Sequence, residues 1–143
     1  MFLIIWGFIS FVSAGPRELV LDNGMQVVLE ETTHIPQVSM QLHFSFSAER
    51  YPEGLPHLVE HLLFEIEKDG LSYDAWVERS QGNSNARTRW SELIIETSVQ
   101  KESVQALLEW EAFRMKGFCD SLTTKNIENQ KMVIVQEMLN LEF

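Results

Sequence analysis

Over residues 37–47 apolar and polar side chains alternate. Val38, Met40, Leu42, Phe44 and Phe46 fall on one side, and His43 sits among polar partners on the other. A period of two marks a strand with one buried face, so His43 is expected on the sheet's polar face rather than as a ligand. Upstream, residues 17–21 and 25–31 flank Asp22-Asn23-Gly24, a hairpin signal. Downstream, the pattern predicts helices over 54–66 and 72–81, the second stopped by Gly82, and strands over 83–90 and 92–100. A helix over 102–116 carries Val104, Leu107, Leu108, Ala112 and Met115 at core spacing, with Trp110 and Phe113 filling the core or a domain contact. The last helix, 127–139, has Thr123 or Thr124 as its N-cap. Ile127, Lys131, Ile134, Met138 and Leu141 form one stripe, and Met132, Val133, Val135 and Leu139 make it apolar on most sides, so it is expected to be largely buried. This order predicts an α+β domain, a mainly antiparallel sheet covered by helices.

The predicted helix 54–66 contains His57-Leu58-Val59-Glu60-His61. Residues i and i+4 of a helix lie one above the other, so both imidazoles can reach one ion, with Glu60 at the edge of the same face. Zinc in hydrolytic sites takes three protein ligands and leaves a position for water. A nearby carboxylate can take that water's proton and deliver it to a leaving amine. H-x-x-E-H is the inverted-zincin signature. Two histidines in an apolar helix can also be packed, hydrogen-bonded core residues.

A third ligand has to come from elsewhere. Glu137 lies inside the apolar run of the last helix, and a buried carboxylate is costly unless it is paired or binds a metal. The alternative is a buried ion pair with an arginine such as Arg87 or Arg114.

Gly54-Leu55-Pro56-His57-Leu58-Val59-Glu60-His61-Leu62-Leu63-Phe64 resembles the metal-binding helix of the pitrilysin/insulinase family of zinc peptidases. In that family the third ligand is a Glu in a segment E-x-x-x-x-V-x-x-x-E. Glu128 to Glu137 has this form, with Val133 in place, about 75 residues after His61. Leu21-Asp22-Asn23-Gly24-Met25-Gln26-Val27-Val28 resembles the family's L-x-N-G-L-x-V hairpin, and Asn83-Ser84-Asn85-Ala86-Arg87-Thr88 its N-A-x-T segment. The resemblance runs from about residue 17 to the end. It implies Zn2+ held by His57, His61 and Glu137, and Glu60 as general base. It also implies a peptide substrate added as a strand along Asn85-Ala86, a mode in which backbone pairing gives affinity with little sequence preference.

Three departures stand out. Pro56 replaces the usual Ala before the first His, which a first helical turn tolerates. Lys-Gly-Thr commonly follows the motif Phe, but here Phe64 is followed by Glu65-Ile66-Glu67-Lys68-Asp69-Gly70. Gln130 stands where a second Glu is often found, seven residues before the ligand. A full family domain is also longer than this chain, and active members pair two such domains around the substrate.

With 143 residues, 45% hydrophobic and 22% charged, the chain suffices for one core. Its net charge of −10 argues against nucleic acid as a partner. Residues 1–14 read as a signal peptide, apolar from Phe2 to Phe11 and ending Val12-Ser13-Ala14, although they lack a basic start. They are too short for a stable membrane span. The expected location is therefore secreted or periplasmic, with Gly15 as the mature N-terminus. Residues 15–143 read as a partial peptidase domain. Cys119 is the sole cysteine, so no intrachain disulfide forms; near a helix end it reads as a small apolar residue.

These features point to a zinc-dependent endopeptidase hydrolysing peptides or small proteins through a zinc-bound water. The alternative is a non-catalytic or truncated zinc-binding subunit acting by association with a second peptidase domain. Intact Glu60 favours the first. The apolar end at Leu141 and Phe143 favours the second, as a surface for a second peptidase-like domain or subunit.

Overall fold

The computed structural model describes residues 15–32 and 34–141. The leader expected at 1–14 and the terminal Phe143 lie outside the described residues. The chain divides after Ile35 into two compact units.

In the first unit, β1 (Arg17–Val20) pairs antiparallel with β2 (Gln26–Leu29). The turn forms where the Asn-Gly pair predicts it. Gly24 takes φ 84, and Asn23 Oδ1 accepts from the Met25 backbone N–H at 3.1 Å. Arg17 and Glu31 form an exposed ion pair.

The second unit runs β3 (Gln37–Ser45), α1 (Leu55–Phe64), β4 (Glu67–Lys68), β5 (Leu71–Ser72), α2 (Tyr73–Arg79), β6 (Asn83–Thr88), β7 (Glu92–Gln100), α3 (Val104–Ser121) and α4 (Thr124–Leu141). Its main sheet has the order β3-β7-β6, antiparallel throughout, so β6 is an edge strand. Leu42 of β3 and Ala86 of β6 both pair with Ile95. Leu42, Leu93 and Ile95 pack with Leu63 and Ile66, placing one side of α1 against the sheet. Tyr73, Val77, Val99, Leu107 and Trp110 form a second buried cluster. The sheet is antiparallel and helices pack on it, as the alternation of elements predicts.

The predicted helix over 54–66 stops at Phe64, and a short hairpin, β4–β5, follows. Asp69 (φ 55) and Gly70 (φ 73) form its two-residue loop, which matches the twist of paired strands. Helix α2 is capped by Ser72, whose hydroxyl accepts from the Ala75 N–H. The left-handed residue at its end is Gln81 (φ 53) rather than Gly82. Gly82 serves close approach instead, since a Cβ there would lie 2.3 Å from the Ser98 carbonyl oxygen of β7.

Two expectations about helix faces are corrected. In α3, Leu107 and Trp110 are buried, but Leu108, Phe113 and Met115 are exposed. The buried stripe is Leu107, Trp110, Glu111 and Arg114, with the usual helical spacing but two charged members. A hydrophobicity pattern cannot see such a face. Helix α4, expected to be largely buried, has only Ile134 buried among its residues of described burial, 124–139, while Met132, Val135 and Leu139 are more than half exposed. Its inward stripe is Asn126, Ile127, Gln130, Ile134 and Glu137, the side that meets α1.

The charged pair in α3 is closed on itself. Arg114 donates from Nε and Nη2 to the two Glu111 oxygens at 2.6 and 2.7 Å, and Tyr73 donates to Glu111 Oε1 at 2.6 Å. Burial, and then the Glu111 carboxylate, push the Tyr73 phenol well above its ordinary range.

Candidate metal centre

Helix α1 presents the H-x-x-E-H segment. Gly54 precedes it with φ 80, a left-handed conformation that a side chain would strain, and Pro56 lies in the first turn where no intrahelical N–H is needed. Helical spacing stacks the two imidazoles edge to face, with centroids 4.7 Å apart. Nε2 of His57 lies 3.1 Å from Nε2 of His61. Helix α4 brings Glu137 to the same point, with Oε2 3.4 Å from each of those nitrogens.

Those three distances nearly match a metal's coordination polyhedron. In a tetrahedral site with metal–ligand bonds of about 2.0–2.1 Å, the ligand atoms stand about 3.3–3.4 Å apart. One atom from each of His57, His61 and Glu137 therefore fits three corners around a single ion. The chemistry of the set agrees, since three electron-pair donors face one another with no Lys or Arg among the ion pairs there. His61 is the most enclosed of the three, at 17% exposure, and Glu137 the least, at 45%. Glu137 is thus half-exposed rather than buried. The arginine pairing considered for it does not occur: Arg87 binds Glu96 at 2.8 and 3.0 Å, and Arg114 binds Glu111. His43 lies on the sheet's exposed side, 3.1 Å from Gln41 Oε1, away from the centre.

Glu60 accepts a hydrogen bond from the Thr88 hydroxyl at the end of β6. Glu60, His61, Asn85 and Ala86 line one recess of about 340 Å³, together with Glu65 and Gln130. Asn85 and Ala86 belong to β6, whose second edge is unpaired among the described residues. A larger recess of about 430 Å³, between Phe44, Phe46, Tyr51, Pro56, Val59 and Phe118, is apolar and holds no group suited to catalysis.

The sequence reading did not assign roles to Thr88, Glu65 or Asn126, and it read Gln130 only as missing charge. Gln130 Oε1 lies 3.0 Å from His61 Nδ1, and its Nε2 donates to Glu65 Oε1 at 2.6 Å. The signal was present in the spacing. Glu65 stands four residues after His61 on α1's face, and Asn126 four before Gln130 on α4's.

A family profile described as Insulinase (Peptidase family M16) matches residues 26–142. Among solved structures, a protease from Helicobacter pylori is similar, with a TM-score of 0.70 and 20% sequence identity. The alignment covers 85% of this chain and 30% of that one, so the chain spans under a third of its structural relative. A search of curated proteins found no match. The profile spans most of the chain and includes every residue of the centre, and the chain belongs to the insulinase family, peptidase family M16.

Proposed function

We propose that the chain is the zinc-binding part of a metalloendopeptidase, with His57, His61 and Glu137 as ligands and Glu60 as general base. The convergence of the two Nε2 atoms and Glu137 Oε2 within 3.4 Å of one another carries this reading. When bound, the ion supplies Lewis acidity, making a coordinated water acidic near neutral pH and polarising the scissile carbonyl. Glu60 takes the water's proton on a carboxylate oxygen and returns it to the leaving amine. The Thr88 hydroxyl donates to one oxygen of that carboxylate, so Glu60 is oriented before substrate arrives. The unpaired edge of β6 at Asn85 and Ala86 accepts an extended peptide by backbone pairing.

Metal analysis should find one zinc per chain. His61→Ala or Glu137→Ala should lower zinc affinity, while Glu60→Gln should keep zinc and abolish hydrolysis of an unstructured peptide. Full zinc occupancy in His61→Ala would overturn the ligand assignment.

A second reading is favoured by the exposed apolar residues of α4: a subunit that binds zinc and works by association. On the first reading the residues that orient substrate from a second peptidase-like domain are needed for full rate, so adding such a domain should raise hydrolysis; on the second it should bind without hydrolysis. A rise abolished by Glu60→Gln supports catalysis, and complex formation without hydrolysis supports association alone. The apolar stretch 1–14 supports export to a secreted or periplasmic location, which N-terminal sequencing of the natural product at Gly15 would check.

A further inference from the structure

An ionised carboxylate only accepts hydrogen bonds. Both oxygens of Glu65 accept from amides on one face of α4: Oε1 from Gln130 Nε2 at 2.6 Å, and Oε2 from Asn126 Nδ2 at 2.8 Å. Asn126 is oriented separately, because its Oδ1 accepts from the Thr123 backbone N–H at 3.0 Å. With its NH2 group committed to Glu65, Gln130 turns its carbonyl oxygen the other way. That oxygen lies 3.0 Å from Nδ1 of His61. A carbonyl oxygen only accepts, so the hydrogen is on Nδ1. A neutral imidazole carries one N–H, which leaves the lone pair of His61 on Nε2, the atom facing His57 and Glu137.

We propose that Glu65 and Gln130 are positioning residues of the centre: Glu65, acting through the Gln130 amide, holds His61 in the Nδ1–H tautomer and frees Nε2 for a metal. The inference rests on the zinc reading for its purpose, but the tautomer is a property of the metal-free chain. Partners of this kind behind a ligating histidine fix its ring and tune its basicity. The proposal also joins two departures in the sequence. A carboxylate at position 130 would need no steering, because both its oxygens accept. An amide has a donor end and an acceptor end, and Glu65 decides which end meets His61.

The test is the ring 15N spectrum of His61 in the metal-free full chain, at about pH 8.5, above the usual histidine range. The wild type should show Nδ1 protonated and Nε2 bare, against the preference of a free side chain for Nε2–H. In E65K the ammonium donates to the amide oxygen, the amide turns over, and His61 should move to the Nε2–H form. Zinc affinity should then fall by about 10–100-fold. In E65K/Q130E the new carboxylate accepts from both sides, so the Nδ1–H form and most of the affinity should return. Q130M, which keeps the side chain's size, covers the case of an unfolded E65K and should lose the Nδ1–H preference. An Nε2–H wild type, an unchanged tautomer in E65K and Q130M, or no recovery in the double variant would overturn the inference. A wild type that binds no zinc but shows the expected tautomers would instead overturn the metal reading and leave the hydrogen-bond chain standing.

Discussion

Two clusters of polar side chains in the second unit differ in kind. Around Glu111 the charges cancel on the spot: Arg114 and Tyr73 donate, both carboxylate oxygens are taken, and Thr97 meets the Tyr73 hydroxyl at 2.7 Å. The Arg114 guanidinium also lies 4.0 Å from the Tyr73 ring centroid, and only its Nη1 lacks a partner. Around His61 no Lys or Arg closes the set, and two imidazole nitrogens and a carboxylate oxygen face one another from a half-open surface. Desolvated charge is tolerable where it is neutralised on the spot. Nitrogen and oxygen lone pairs gathered with no cationic side chain among them offer a place to a metal cation, the role proposed above for this cluster.

The comparison breaks most visibly at Arg114. R114M should leave Glu111 buried and unpaired, lowering stability by about 3–5 kcal/mol in urea unfolding. A near-neutral result would mean that the Glu111 cluster does not hold the fold. Next in size is the effect of metal. Zinc at a hundredfold excess over its dissociation constant should stabilise the chain by about 2.7 kcal/mol, a gain that E137A should lose and Y73F should keep. Equal stabilisation of wild type and E137A would mean that zinc binds elsewhere.

A smaller effect is expected at the junction of β6 and α1. T88V removes the hydrogen bond to Glu60, and hydrolysis measured with an added second domain should fall by about tenfold, the worth of one such bond to a charged group. Zinc content should stay unchanged and T88S should recover the rate. A T88V variant of full activity would leave Glu60 needing no support from β6.

The smallest effect lies in alkali. The Tyr73 phenol is held above its ordinary value in the folded chain, so above about pH 10 the unfolded chain releases this proton first. Stability from this source is fully present below that point and is lost as pH rises beyond it. Y73F should flatten the alkaline decline in melting temperature, and equal declines in both proteins would count against this role for the hydroxyl.

Much of this was legible in the residues. Strand β7 spans Glu92–Gln100, the bounds its residues predict, and the helical spacing of His57 and His61 anticipated their contact. The apolar residues around Glu137 predict burial, yet α4 packs chiefly on α1 and leaves Glu137 half-exposed. Hydrophobicity misread α3 for the opposite reason, since Glu111 and Arg114 are buried as a pair. The β4–β5 turn is written in Asp69-Gly70, but with only two residues in each flanking strand the segment carries no alternation to mark it as a hairpin. Thr88 could not have been assigned from sequence, because its role depends on how far the end of β6 lies from Glu60 in space.

The close approach at Gly82 has a consequence for how this protein can change. Along β6, backbone pairing to β7 sets the register, so side chains facing the recess can drift and alter what is accepted without moving Glu60 or its partner. Gly82 is where that freedom stops. Any side chain there meets the Ser98 carbonyl and levers the start of β6 away from the sheet. On the proposed function, variation in this strand is tolerated at the positions between Gly82 and Thr88 that face the recess and barred at its root, so preference could change while the position of Glu60 is kept.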